Sequence, residues 1–158
     1  MYRRRMCRRT FRRPKRNYQI VRPGYNITLY GTPTGEQVNY TTVVNPADVT
    51  GVRKVKNFQV SFNVDQGQPS FWWALVYVPK GYVPNQIYPT GASNDLYSPS
   101  NNVLVCGFYD SSDPTRQTWF SRLSRNLNAG DGLALVYKPV TQSRDGEAQV
   151  MLQYAITF

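Results

Sequence analysis

The chain contains no histidine in its 158 residues. This removes the commonest general base near neutral pH and the commonest metal ligand, so any catalysis would fall to carboxylates. Those are scarce as well, with only nine acids in all. The nearest pairs, Asp110 with Asp113 and Asp145 with Glu147, lie among Ser, Gly and Pro and read as turns rather than as a calcium site or a general-acid pair. Of the two cysteines, Cys7 falls in a basic leader and Cys106 in a strand-like segment. A bridge between them would tie the leader to the core, so both read as free thiols in a reducing compartment. No phosphate-cradling glycine loop and no cysteine cluster with zinc spacing is present. The chain therefore does not read as an enzyme, and no metal or other cofactor is expected. The longest apolar run, Phe71 to Val78, has eight residues against the roughly 20 that span a bilayer, so no membrane partner is expected. Arg12, Arg13, Lys15 and Arg16 occupy the place where an export signal would carry its apolar stretch.

Acid is also missing locally. Between Met1 and Arg22 there are nine Arg and one Lys and no Asp or Glu, whereas residues 23–158 carry nine basic and nine acidic groups. The net charge of +10 thus sits wholly in the first 22 residues, and the rest is formally neutral. The leader has little to bury beyond Tyr2, Phe11, Tyr18 and Ile20, too little to offset the entropy of ordering, so the expectation is a disordered basic N-terminal arm over 1–22 and a folded domain over 23–158. Nine cations within Arg3 to Arg16 repel one another unless counter-charge is supplied, which points to a polyanion. Arginine dominates over lysine there, and a guanidinium grips phosphate with two hydrogen bonds and stacks on bases. The candidate nucleic-acid-binding residues are therefore Arg3, Arg4, Arg5, Arg8, Arg9, Arg12, Arg13, Lys15, Arg16 and Arg22. Such a run also suits a nuclear-localisation signal and recognition by import machinery. Arg53, Lys54 and Lys56 form a second basic cluster and are secondary candidates for nucleic-acid contact. Tyr2, Phe11 and Trp119 are candidates for stacking on bases, with core packing the better reading of Trp119.

What remains is built for strands: ten of the chain's 12 Tyr, many Val and Thr, and Pro or Gly at short intervals, with no helical spacing. Phe58, Val60, Phe62 and Val64 alternate with polar residues, as do Val150, Leu152, Tyr154 and Ile156, which is the period of a half-buried strand. Phe71 to Val78 and Val103 to Phe108 are apolar on both parities and are expected in the middle of a sheet. Weaker strands over 25–30, 37–44, 115–125 and 132–138 bring the expected number to eight. An all-β, eight-stranded antiparallel jelly-roll sandwich fits this pattern. The long connection from Pro79 to Asn102 is expected to touch neighbouring subunits.

Three segments carry a family resemblance: Tyr77-Val78-Pro79-Lys80-Gly81; then Leu96-Tyr97-Ser98-Pro99-Ser100-Asn101-Asn102-Val103-Leu104 with Gly107; then Ser124-Arg125-Asn126-Leu127-Asn128-Ala129-Gly130-Asp131. In this order, behind an arginine-rich arm, they resemble the capsid proteins of circular Rep-encoding single-stranded DNA viruses, the circovirus-like group. The resemblance covers residues 52–158. It implies a jelly-roll subunit that assembles with itself, about sixty copies closing the smallest icosahedral shell, with the arms inside against a circular single-stranded DNA genome. Its localisation would be the virion, and the host nucleus during assembly. In their plain structural reading, the Asn- and Gly-rich segment after Ser124 is a tight connection between strands, and Leu96 to Pro99 is a loop anchored ahead of the strand at Val103. Three other readings stand beside this one: the coat protein of a satellite-type RNA virus, a cellular protein with a basic tail such as a ribosomal component, and a carbohydrate-binding or hydrolytic β-sandwich. The neutral body and the lack of paired carboxylates weigh against the last two.

Overall fold

The structure is a computed structural model, and it describes residues 17–30, 38–48, 50–65, 67–84, 102–113, 116–140 and 145–157. Among these described residues nine strands run in chain order: β1 Gln19–Val21, β2 Gly24–Leu29, β3 Asn39–Val44, β4 Arg53–Val64, β5 Phe71–Val78, β6 Val103–Tyr109, β7 Gln117–Leu127, β8 Gly132–Pro139 and β9 Gly146–Ile156. They form two antiparallel sheets. In the first, β1 and β2 pair end to end with one edge of β9, and β4 and β7 follow on its other side; the second has the order β3-β8-β5-β6. Except between β5 and β6, each step from β2 to β9 crosses from one sheet to the other. This is the jelly-roll form of the two-sheet sandwich, with four strand positions in each sheet.

Two details differ from expectation. The first sheet's edge is split between β1 and β2 at Arg22-Pro23, so an added strand begins at Gln19, inside the expected arm. Proline has no N–H to give the ladder, yet the chain stays docked there because the Leu152 N–H donates to the Pro23 carbonyl (3.0 Å). The segment Val103–Tyr109, expected in the middle of a sheet, is one of the two edge strands of the second sheet. Its apolar character on both parities has another cause: Leu104 and Tyr109 face the core, while Cys106 packs on the far side of the sheet. The inner positions belong to β8 and β5, the latter as its unbroken apolar run suggests.

The core lies between the sheets. Ile27, Leu29, Val55, Phe58, Val60, Phe62, Val150 and Leu152 from the first sheet meet Phe71, Trp73, Leu75, Leu133 and Leu135 from the second, all nearly or fully buried. Phe62 is at the centre of an aromatic cluster, with ring centroids 5.1 Å from both Phe71 and Trp73, 5.7 Å from Trp119 and 6.1 Å from Tyr109. Offset and edge-on contacts of this kind add to the area they bury. Hydrogen bonds from Tyr25 Oη to the Val43 carbonyl (3.2 Å) and from Ser121 Oγ to the Leu104 carbonyl (2.8 Å) tie the two sheets together at their margins.

The outer faces are unlike each other. The second sheet's outer side holds a further apolar cluster of Ala74, Val76, Val78, Ala134 and Val136, and its four strands carry no acid and a single cation, Lys138. The first sheet's strands carry several cations and one acid, Glu147. Charge in this formally neutral domain is therefore uneven.

Candidate nucleic-acid interface

Arg3, Arg4, Arg5, Arg8, Arg9, Arg12, Arg13, Lys15 and Arg16 lie outside the described residues, as do the stacking candidates Tyr2 and Phe11. The described chain enters at Asn17 and Tyr18, and the Lys56 Nζ sits 3.6 Å above the centre of the Tyr18 ring. The arm thus joins the domain beside β4, at the end of the first sheet that bears the basic cluster. Arg22 is exposed at the break between β1 and β2, where its Nε donates to Gln153 Oε1 on β9 (2.7 Å).

The cluster Arg53, Lys54, Lys56 does not act as one surface. Lys54 and Lys56 are half-exposed, but Arg53 is only 6% exposed, and its Nη2 donates to the Asp131 carbonyl (2.9 Å). Arg53 is therefore corrected from a nucleic-acid candidate to a structural residue: its side chain points into the sandwich and cannot meet a phosphate outside. The cause is local. Asn57 takes φ 56° and β4 is irregular there against both β7 and β9. Asparagine tolerates this left-handed conformation better than most residues. The extra residue reverses the alternation, so Arg53 and Val55 share the inner face with Phe58, Val60 and Phe62, and Lys54 and Lys56 turn outward.

Trp119 likewise belongs to the core, packed edge-on against Trp73 with centroids 5.0 Å apart and lying over Gly107, where a β-carbon would come within 2.8 Å of the indole nitrogen. The ring is partly buried and packs against the core, which favours the packing reading over base stacking. Its neighbour Phe120 is 72% exposed on the opposite side of β7. Residue by residue, Phe120 pairs with Gln59 and Gln59 with Gln153, which Arg22 contacts. A ring, two amides and a guanidinium thus form one row across the outer face. One step along, the Arg116 Nη2 donates to Ser61 Oγ (2.8 Å) and to Met151 Sδ (3.2 Å). Arg22, Gln59, Ser61, Arg116, Met151 and Gln153 line a shallow groove of about 90 Å3 on this face. Sequence reading missed Arg116 and Phe120. The signal for Phe120 was present in its parity, opposite to that of the core residue Trp119.

At the end of the sandwich the segments Tyr77–Gly81 and Ser124–Asp131 meet around one carboxylate. Asp131, 4% exposed, accepts from Tyr77 Oη (2.8 Å) and the Asn128 N–H (2.8 Å) on Oδ2, and from the Lys80 N–H (3.1 Å) on Oδ1. Burial pushes this carboxyl up, but hydrogen bonds from Tyr77, from the Asn128 and Lys80 backbones and from the Asn128 side chain outweigh it and hold the group below the usual aspartate value. Burial raises the Tyr77 phenol, and the bond and charge of Asp131 raise it further, against a downward pull from Arg125. The Arg125 guanidinium lies 4.4 Å over the Tyr77 ring. Gly130, at φ +85°, donates its N–H to the Ala47 carbonyl (3.0 Å) and leaves room for the Lys80 side chain. All of these contacts join parts of the fold, so the corner is structural and organises the turn into β8.

The first acid pair sits in a turn, with the Asp113 N–H donating to the Asp110 carbonyl (3.3 Å), whereas Glu147 of the second pair lies on β9 opposite Thr28 and not in the expected turn. Asp110 Oδ1 accepts from the Ser112 N–H (2.9 Å) and Oγ (2.7 Å), which lowers its carboxyl's pKa. Among the described residues no group of three or more His, Cys, Asp or Glu is placed to hold a metal, and no helix is long and apolar enough to cross a membrane. Cys106 is a free thiol, raised by burial.

No family model and no curated protein matches the sequence. Among solved structures, that of Eiger TNF from S. frugiperda aligns with 82% of this chain and 92% of its own at 14% identity, with a TM-score of 0.27, a likeness too distant to bear on function.

Proposed function

We propose that the chain is the coat subunit of a small circular single-stranded DNA virus, assembling with copies of itself into a closed shell and holding the genome with its arginine-rich arm. The observation that carries this reading is the partition of charge: +10 confined to residues 1–22 and a formally neutral jelly-roll body. A genome brings one negative charge per nucleotide and resists confinement unless most of that charge is compensated. About sixty subunits would bring roughly 600 positive charges to the interior. Neutral bodies can pack side by side without strong mutual repulsion. The choice of DNA, of virion and nuclear location, and of a circovirus-like relationship rests on the sequence resemblance, while the arm serves DNA and RNA alike through phosphate. Nuclease digestion of the packaged material separates the two cargoes.

The test is to delete residues 1–16, keeping Tyr18 and β1 in place. The shortened protein is expected to fold and assemble while packaging far less nucleic acid than the full chain. Equal nucleic-acid content in particles with and without the arm contradicts the reading.

A further inference from the structure

The row of groups across the first sheet suggests that the arm is not the whole of the interface. We propose that the outer face of the β1-β9-β4-β7 sheet is a second, shape-dependent binding surface for unpaired nucleotides, with Phe120 as a stacking platform and Arg22, Lys54, Lys56 and Arg116 as phosphate contacts. This rests on the polynucleotide-binding reading above and extends it from a flexible arm to a rigid site.

The geometry fits a single strand. Arg22, Gln153, Gln59 and Phe120 occupy successive strand positions, so the row is about 14 Å wide at the usual ~4.8 Å strand spacing. Along β4, the stretch from Ser61, held by Arg116, to Lys54 spans seven residue steps, or about 23 Å at ~3.3 Å each. This is long enough for a handful of nucleotides. Cations lie along the track, two amides lie between them to meet base edges, and the exposed ring offers a flat apolar face. Basic grooves interleaved with aromatic platforms bind single strands without sequence preference. A paired duplex presents no free base faces, so it gains nothing from the ring.

The exposed apolar groups here, Phe120, Met151 and Ile20, would also suit a protein partner, but charge argues against both candidates in this chain. A second copy meeting the face about a twofold axis would bring the same patch opposite itself, cation against cation, with Glu147 as the sheet's one acid. The chain's own arm is more basic still and would be repelled. A polyanion with exposed rings satisfies both properties of the face. Arg22 and the Lys56-Tyr18 contact lie where the arm enters, so one strand can pass from arm to sheet without a break.

The test uses the full chain and two fluorescent probes, a 20-nucleotide oligo-dT and a 20-base-pair duplex, titrated at several salt concentrations. Phe120→Ala is expected to weaken oligo-dT binding about tenfold and duplex binding less than twofold, with Phe120→Trp restoring the preference. Because Phe120 is 72% exposed, its removal leaves no cavity, and an unchanged melting temperature shows that the fold is intact. Replacing Arg22, Lys54, Lys56 and Arg116 together with Gln is expected to reduce the slope of log affinity against log salt by about 3, at ~0.7 per phosphate contact on a single strand. Equal effects of Phe120→Ala on both probes, or none, overturn the proposal. So does a change in self-association with oligo-dT affinity unaltered, which would assign the face to a second copy. A separate variant lacking residues 1–16 keeps the two readings apart: loss of all binding there, with no effect of the face variants, sinks this proposal and leaves the arm's role standing. A face effect that survives deletion of an idle arm supports the sheet surface alone.

Discussion

Removing the charge of Asp131 while keeping its shape, by Asp131→Asn, is expected to destabilise the domain by about 3 kcal/mol. The carboxylate accepts three hydrogen bonds within 3.1 Å, from Tyr77, Asn128 and Lys80, at a site 4% exposed. Bonds to a charged acceptor contribute roughly 1.5–3 kcal/mol each against about 1 for a neutral one, and an amide would also turn its NH2 toward at least one of these donors. The sum is not additive, which is why the expectation is nearer 3 than 6 kcal/mol. For a domain of this size the melting temperature should fall by roughly 6–12 °C. Urea unfolding followed by the fluorescence of Trp73 and Trp119 measures the difference directly. The pH dependence has a definite sign. The folded carboxyl lies below its unfolded value, so its contribution is present in full above about pH 4 and is lost as pH falls through the folded value. The gap between native protein and variant should therefore close on acidification. A variant within about 0.5 kcal/mol of the native protein at pH 7, well short of the roughly 1.5 kcal/mol that even one such bond contributes, would refute the reasoning, as would a gap unchanged at pH 3.

Two further changes probe the same fold. Phe62→Ala empties the centre of the ring cluster formed with Phe71, Trp73, Tyr109 and Trp119 and is expected to cost about 3–5 kcal/mol in urea unfolding. Gly130→Ala places a β-carbon at φ +85°, 2.6 Å from Lys80 Cδ, and should lower stability by about 1–2 kcal/mol. An unchanged melting temperature would mean that the turn into β8 adopts another conformation.

Much of the architecture was legible because the strands other than β1 are marked by residue type and bounded by turn formers. The run from Phe71 to Val78 is apolar throughout and that from Gly132 is apolar up to Tyr137, and the two occupy the inner positions of the second sheet, as strands covered on both faces must. Parity was less secure. Extended backward from Phe58, Val60 and Phe62, strict alternation turns Lys56 and Lys54 inward and Arg53 outward, the reverse of what the bulge at Asn57 produces. A single Asn does not announce a bulge, since the same residue type is common at ordinary polar strand positions such as Asn63 and Asn126. Strand order was beyond reach because pairings such as β1 with β9 join residues more than a hundred positions apart. The row from Arg22 to Phe120 was hidden for the same reason, as its members are neighbours only across strands. Asp131 read as one residue of a turn, and its partners Tyr77 and Lys80 come from a segment some fifty positions earlier.

The most direct measurement is electron microscopy of the purified full-length protein, together with its 260-to-280 nm absorbance ratio before and after nuclease treatment. A coat subunit should yield closed, uniform particles holding nucleic acid that nuclease does not reach. A monomer that stays dispersed at high concentration and carries no polynucleotide would contradict the assignment.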